Sequence, residues 1–218
     1  MLYNIDSIIK AIDEAKKKAK KRKFTQSVDL ILKFRDFDPK KPENRINIAI
    51  PLPNPIPNKL CKVCVIASGA MILKARDAGA DAVLTKEDVE KLSGNKKEVR
   101  KLAKTYDFFV ATPDLMVLIG RIMGPILGPR GKMPEVVPPT ADIKPVIDRL
   151  RRSVRVRVRD QPQAMTRVGS EVMESKLIAE NVVAVIDELL KKLKPEQIEK
   201  ARVKLTMGPS VEIEEIFT

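Results

Sequence analysis

The segment that most restricts the fold of this chain is Pro51-Leu52-Pro53-Asn54-Pro55-Ile56-Pro57, in which proline occupies every second position. Proline lacks an amide donor and fixes its own backbone angle, so the segment can form neither a helix nor a central strand. The hydrophobic patterns before and after it also differ. We therefore predict a stiff linker that separates two structural units.

The residues before this linker predict one helix and two half-buried strands. Apolar residues recur with helical spacing between Ile5 and Ala19, and Asn4 can cap the first turn. From residue 24 the period changes to two, with alternating apolar positions at 28–34 and again at 46–50. Strands with one polar face are typical of an antiparallel sheet.

The residues after the linker have a different pattern. Short runs at 63–67, 82–84 and 108–111 are apolar on both faces, and they alternate with helical segments at 69–79, 87–92, 96–104 and from 114 onward. Strands buried on both faces and separated by helices predict a parallel α/β unit.

The last part of the chain returns to the first pattern. A helix at 142–152 leads into alternating valine and arginine at 153–159, and residues 164–168 are predicted to pair back on that strand as a hairpin. A long amphipathic helix at 174–192 and a final interrupted strand follow. We therefore predict an α+β domain built from both chain ends, residues 1–57 and 155–218, with an antiparallel sheet and helices on one face. Residues 58–154 form an inserted α/β Rossmann-like domain. The two connections, near residues 51–58 and 152–154, predict a double hinge.

Charge and composition restrict the function. The chain has 42 Lys+Arg and 29 Asp+Glu, a net charge of +13, which favours nucleic acid as partner. No hydrophobic run approaches the ~20 residues needed to span a bilayer and no signal peptide is visible, so we expect no membrane partner and a cytoplasmic location. The chain contains no histidine, which removes the commonest general base and most zinc and haem sites. We therefore expect no enzymatic activity, no cofactor and no metal.

The two cysteines do not change this expectation. Cys61 and Cys64 form a Cys-x-x-Cys pair, but there is no second pair to complete a zinc site. Residues three apart in a strand also point to opposite faces. We interpret both as buried free thiols.

Two strand segments allow both a structural and a functional interpretation. The alternation at Val203 and Leu205 breaks at Gly208-Pro209 and resumes at Val211, which predicts a bent or bulged strand whose backbone turns sharply or lies close to another group. The arginines at 153–159 share one face, which suits either phosphate contacts or a charged solvent face on an edge strand.

The glycine-rich segment at 120–134 does not match a phosphate-binding loop. A Walker loop requires glycine where this chain has Ile126, and serine or threonine where it has Met133. Both requirements fail. Backbone amides with Arg130 and Lys132 could still contact a phosphate, and a proline-stiffened surface loop is the alternative.

Three segments together resemble one known family. They are Lys23-Phe24-Thr25-Gln26-Ser27, the run Gly-Pro-Arg-Gly-Lys-Met-Pro within residues 120–134, and Thr206-Met207-Gly208-Pro209-Ser210. In this order they resemble the ribosomal protein L-one family, of archaeal type, and the resemblance covers essentially the whole chain. It implies the two-domain fold, a place in the mobile stalk of the large ribosomal subunit, and binding of large-subunit ribosomal RNA. It further implies assistance in release of deacylated exit-site tRNA, repression of the chain's own mRNA, and a monomer when free of the ribosome.

The resemblance also implies an RNA-binding surface contributed by both chain ends. Its main residues are Lys23, Phe24, Thr25, Ser27, Thr206, Met207, Gly208 and Pro209. We add Lys204 and Gly169, and as auxiliary electrostatic candidates Arg130, Lys132, Arg155, Arg157, Arg159 and Arg167. Hydroxyls and bare glycine backbone can approach ribose 2′-hydroxyls, while Phe24 and Met207 can exclude water from those hydrogen bonds.

Two alternative functions are consistent with parts of the pattern. The α/β unit could belong to an enzyme that binds a nucleotide or phosphometabolite, although the phosphate fingerprints fail. The basic charge could also belong to a general RNA chaperone with similar affinity for unrelated duplexes.

Overall fold

The computed structural model describes residues 3–39, 41, 44–57 and 60–217. The chain divides into two compact units, which we call the end unit (Met1–Leu60 with Arg152–Thr218) and the inserted unit (Cys61–Arg151). Asn58, at which we placed the start of the inserted domain and the end of the first hinge, lies outside the described residues.

The helices and strands follow one another along the described chain. In order they are α1 (Ile5–Lys18), β1 (Ser27–Phe34), β2 (Asn47–Pro51), β3 (Val63–Ile66), α2 (Met71–Asp77), β4 (Ala82–Leu84), α3 (Lys86–Lys91), α4 (Lys96–Thr105), β5 (Phe108–Ala111), α5 (Met116–Ile122), α6 (Gly124–Leu127), β6 (Glu135–Val136), α7 (Lys144–Arg151), β7 (Ser153–Arg157), β8 (Gln163–Ser170), α8 (Ser175–Leu190), β9 (Ile198–Leu205) and β10 (Ser210–Ile213). Short 3₁₀ turns precede α5 at Pro113–Leu115 and β9 at Pro195–Gln197.

The end unit is built on a four-stranded antiparallel sheet with the order β10-β9-β1-β8. Helices α1 and α8 contact each other, α1 also contacts β9 and β10, and α8 contacts β8. The alternating apolar residues of β1, Val28, Leu30 and Leu32, are fully buried in this core. The predicted antiparallel sheet is therefore confirmed, and a separate two-stranded ribbon, β2 with β7, accompanies it.

Helix α1 begins where the sequence predicts. The Ser7 N–H donates to Asn4 Oδ1 at 3.1 Å, which satisfies one of the free amides of the first turn. Its apolar stripe, Ile8, Ile12 and Ala15, is fully buried. Its last turn carries Lys16, Lys17 and Lys18, which complement the negative end of the helix dipole.

The inserted unit is built on a parallel sheet with the order β4-β3-β5-β6. Every residue of β3 and of β5 is buried, as expected for strands covered on both faces. Helix α3 starts with a capping box in which the Thr85 N–H and hydroxyl donate to Asp88, and these hydrogen bonds lower the pKa of the Asp88 carboxyl. The predicted parallel sheet is confirmed.

The predicted pairing of the arginine strand was wrong. β7 pairs with β2, with Val156 opposite Ile48, whereas β8 pairs with β1, with Thr166 opposite Leu30. Alternation identifies the buried face of a strand but not its partner, which is set by contacts distant in sequence. Ser153, which we placed in the inserted domain, starts β7 in the end unit.

The structure also differs from the predicted loop at residues 120–134 and from the predicted burial of both cysteines. Residues 120–127 are largely helical, in the end of α5 and in α6, and do not form a surface loop. Cys61 is only partly buried, whereas Cys64 is fully buried and its pKa is raised to about 12, chiefly by burial.

Candidate nucleic-acid interface

The segment that we predicted as a bulged strand is a hairpin. β9 ends at Leu205 and β10 starts at Ser210, and the two pair antiparallel with Val211 opposite Val203. The turn between them is closed by the Gly208 N–H, which donates to the Leu205 carbonyl at 3.0 Å. The same residues stay on the buried face in a hairpin and in a bulged strand, so the alternation could not distinguish the two.

This turn lies against the segment that precedes β1. The Thr206 N–H donates to the Ser27 carbonyl at 3.0 Å, and the Ser27 N–H donates to Thr206 Oγ1 at 3.1 Å. These reciprocal bonds join the two ends of the chain. We call the residues on either side of them, Lys23–Ser27 and Lys204–Pro209, the composite surface.

Gln26 is the residue that organises this surface, and we did not include it among the candidates. Its side chain is 1% exposed. Its Oε1 accepts from the Met207 N–H at 3.1 Å, and its Nε2 donates to the Lys20 carbonyl at 3.2 Å and to the Glu171 carboxylate at 3.3 Å. One side chain thus connects the β9–β10 turn, the end of α1 and the residue that follows β8. The only signal in the sequence was its position inside the Lys23–Ser27 segment.

The backbone of Gln26 strengthens the same connection. Its N–H donates to Glu171 Oε1 at 2.9 Å, and the Glu171 N–H donates back to the Gln26 carbonyl at 3.0 Å. A buried amide with every partner in place restricts the local conformation, because each alternative leaves a polar group unpaired. The composite surface is therefore held in one arrangement.

Two large apolar side chains of the composite surface are exposed to solvent. Phe24 is 52% exposed and Met207 is 58% exposed. Lys23, Thr25 and Pro209 are also exposed. The structure therefore places exposed apolar, hydroxyl and cationic groups together in one region.

The two glycines among the candidates have packing roles. A Cβ on Gly208 would lie 3.2 Å from the Cβ of Ala19, because the turn packs on the end of α1. Gly169 is buried, and a Cβ there would lie 2.7 Å from Cγ1 of Ile178 in α8. The bulge in this region is at Val168, since Gly169 pairs with Val28 and Arg167 pairs with Asp29.

Several of the cationic candidates share the sheet face opposite the helices. Asp29 is in register with Arg167 on one side and with Lys204 on the other, and directly opposed residues of antiparallel strands point to the same face. On the same face of β8, Met165 lines a shallow depression of about 310 Å³ together with Arg157 and Arg159.

The remaining arginine of the ribbon, Arg155, lies two residues before Arg157 in β7 and therefore points to the same side of that strand. Arg159 lies beyond the end of β7, where it is exposed to solvent and forms an ion pair with Asp160.

The inserted unit separates its two candidates. The Lys132 ammonium donates to the Ala103 carbonyl at 3.1 Å and to the Tyr106 carbonyl at 2.8 Å, so it caps the end of α4. This contact gives Lys132 a structural role. Arg130 is half-buried in the turn that follows α6.

The described residues include no group of three or more cysteine, aspartate or glutamate side chains that could hold a metal ion. No helix among the residues that the structure describes is both long and apolar enough to cross a membrane.

The structure therefore combines a discontinuous antiparallel α+β unit, an inserted parallel α/β unit, a strong positive charge, and a rigid surface with exposed apolar groups. These features are typical of the class of RNA-associated proteins.

Comparison with known proteins identifies the family. The model of the ribosomal protein L1p/L10e family matches residues 14–209, and the chain belongs to this family. It is 51% identical to the large ribosomal subunit protein uL1 of Thermofilum pendens over 93% of this chain and 92% of that protein. It is 52% identical to uL1 of Pyrobaculum calidifontis over 95% and 93%, and 45% identical to uL1 of Archaeoglobus fulgidus over 98% and 100%. The predicted family and its archaeal type are confirmed, and the family is one of ribosomal proteins and not of enzymes.

Proposed function

We propose that this protein is a structural constituent of the large ribosomal subunit that binds large-subunit ribosomal RNA through the composite surface. The observation that carries the proposal is the pair of hydrogen bonds between Ser27 and Thr206, which joins both chain ends beside the exposed Phe24 and Met207. The relatives are named as large-subunit proteins, which supports the same assignment.

The proposed recognition combines shape and charge. A fixed surface pays little ordering entropy on binding, so its hydroxyls and backbone groups can contact ribose 2′-hydroxyls efficiently. Phe24 and Met207 would cover these hydrogen bonds and exclude water, which makes them stronger. Lys23 adds attraction to phosphates from the same segment, and Lys204, Arg157 and Arg167 extend the positive charge over the adjacent sheet face.

A pair of matched variants tests the site. Met207→Asp places a negative charge against the RNA backbone and should weaken binding to a large-subunit rRNA fragment by roughly 1–3 kcal/mol. Val117→Asp adds the same charge at a position 84% exposed in the inserted unit and serves as the control. Filter binding with both variants at several salt concentrations is the measurement. Equal affinity of the two variants would contradict the site assignment.

The cationic candidates are tested by the salt dependence. Neutralising one phosphate-contacting arginine, for example Arg157→Gln or Arg130→Gln, should reduce the slope of log affinity against log salt by at most about one. A loss of affinity that is the same at every salt concentration would instead indicate a specific contact.

We extend the proposal to the position of the protein in the mobile stalk, where it assists release of deacylated tRNA from the exit site. The two connections between the units would then act as a double hinge. Spin labels at Val117→Cys and Val172→Cys, in a Cys61→Ser and Cys64→Ala background, place one probe in each unit on an exposed position. A broad or two-component distance distribution supports the hinge, and a single narrow distance contradicts it.

We also propose that the free protein represses translation of its own mRNA by binding a segment that mimics the rRNA site. Because one surface would serve both RNAs, the mRNA leader should compete with the rRNA fragment, and Met207→Asp should weaken both complexes by a similar factor. Simultaneous binding of both RNAs would exclude a shared surface.

A further inference from the structure

The inserted unit contains a cavity that the proposed rRNA site does not use. It has a volume of about 400 Å³ and lies among the turn after α3, the start of α4 and the segment formed by α5 and α6. Its lining includes four aliphatic side chains, Leu92, Val99, Ile122 and Ile126. This volume is within the range of about 300–1,000 Å³ that is typical of ligand-binding pockets.

Three cations surround this aliphatic lining. Lys96 and Arg100 are one turn apart on α4, and Arg121 lies in the last turn of α5. All three are exposed, and none forms an ion pair with a residue that the structure describes. The lining as described contains no aspartate or glutamate. Like charges around an apolar wall concentrate a positive potential there, so the cavity attracts anions.

The composition of the cavity distinguishes between classes of anionic ligand. Single-stranded RNA is usually held by stacking of bases on aromatic side chains, and the described residues that line this cavity include no aromatic side chain. A free phosphate would use the cations but leave the aliphatic wall exposed to water. An acidic peptide with an apolar residue uses both parts, because the apolar side chain fills the cavity while carboxylates meet the guanidinium groups.

We propose that this cavity, bounded by Lys96, Arg100 and Arg121, is a docking site for an acidic segment of a partner protein that inserts one or two bulky apolar side chains. Carboxylates flanking the inserted residues pair with the two arginines, which can form bidentate contacts, and with Lys96. This site is separate from the composite surface, which lies in the end unit.

The probe for this site is a short fluorescein-labelled peptide of alternating aspartate and glutamate with a central Leu-Phe pair, measured by fluorescence anisotropy with the whole protein. Helix α4 offers a closely matched pair of variants. Lys96→Glu with Arg100→Glu reverses two charges at the cavity, whereas Lys97→Glu with Lys101→Glu reverses two charges at the same spacing outside it. Both variants change the net charge equally.

We expect the cavity variant to bind the peptide roughly tenfold or more weakly than the unmodified protein, and the control variant to lose less than about twofold. Replacing the Leu-Phe pair by Ser-Ser should also weaken binding roughly tenfold, because the apolar contact is lost. Circular dichroism should show both variants folded. The affinity of both variants for the rRNA fragment is measured in parallel. The peptide assay then reports on the cavity and the rRNA assay on the proposed rRNA-binding function, so that either proposal can fail without the other.

Three results would overturn the proposal. Equal losses in the two charge variants would show general attraction to a basic surface. Equal binding of the Ser-Ser peptide would show that the cavity is not filled. Unlabelled peptide serves as the reference competitor. If single-stranded RNA or inorganic phosphate displaces the labelled peptide at a lower concentration than the unlabelled peptide does, the three cations bind another ligand.

Discussion

Removal of the Gln26 side chain should destabilise the end unit and loosen the composite surface. Gln26→Ala deletes three hydrogen bonds, to Met207, Lys20 and Glu171, from a side chain that is 1% exposed. A buried polar group left unpaired costs about 1–3 kcal/mol, but water can reach the exposed Met207 and Lys20. We therefore expect the free energy of unfolding to fall by about 2–4 kcal/mol, including the small cavity.

The measurement is urea unfolding followed by far-ultraviolet circular dichroism. Gln161→Ala removes the same atoms from an exposed glutamine and should change the free energy of unfolding by less than about 0.5 kcal/mol. Amide hydrogen exchange at Met207 should accelerate only in Gln26→Ala, because Gln26 Oε1 is the acceptor for that N–H. Equal effects of the two variants on stability would refute the role that we assign to Gln26.

The isosteric variant Gln26→Glu adds a pH test. Burial and the adjacent Glu171 should both raise the pKa of the introduced carboxyl above its value of about 4.3 in the unfolded chain. The folded state then binds the proton more tightly, so stability relative to the unmodified protein should be lost as pH rises from about 4.3 through the raised pKa. A stability difference that does not change between pH 5 and pH 8 would contradict the proximity of the two groups.

Three further measurements test other parts of the structure. Gly169→Ala should cost roughly 1–3 kcal/mol of stability by urea unfolding, because the new methyl overlaps Cγ1 of Ile178. Ile178→Ala removes that atom, so the double variant should lose less stability than the sum of the two single variants, and strict additivity would contradict this contact. Lys132→Met should lower stability by about 1–2 kcal/mol and leave the salt slope of rRNA binding unchanged. Unchanged stability with a reduced salt slope would instead indicate a phosphate contact. In native protein Cys61 should react with a maleimide much faster than Cys64, whose pKa is raised to about 12, and comparable rates would show that Cys64 is accessible.

Hydrophobic periodicity was sufficient to predict the two kinds of sheet. β1 and β9 alternate because one face lies on α1 and α8, whereas β3 and β5 are apolar throughout because both faces are buried. These patterns depend only on which side of an element meets the core. They can therefore be seen in a single sequence.

Strand partners and the β9–β10 turn could not be predicted in this way. The pairing of β7 with β2 depends on segments separated by about a hundred positions, and the alternation in β7 is compatible with any antiparallel partner. Gly208-Pro209 interrupts a strand in the same way whether the chain continues or reverses. Only the register of Val211 with Val203 distinguishes the hairpin.

The candidate site likewise contains residues that a short sequence segment indicates and residues whose roles depend on the folded chain. Phe24 and Met207 could be proposed as site residues from the sequence because they belong to recognisable short segments. The roles of Gln26 and Lys132 depend on backbone groups that become neighbours only in the folded chain, namely the Met207 N–H and the carbonyls of Ala103 and Tyr106. A polar or charged residue in a motif can therefore either contact the ligand or stabilise the surrounding backbone, and the motif alone does not distinguish these roles.

The most direct test of the central claim is hydroxyl-radical footprinting of the protein on intact large-subunit ribosomal RNA. We predict one compact protected region, retained with Val117→Asp and lost with Met207→Asp and with Phe24→Asp at the same protein concentration. Protection that is scattered along the RNA, or that persists in both variants of the composite surface, would contradict the claim that this surface binds the ribosomal RNA.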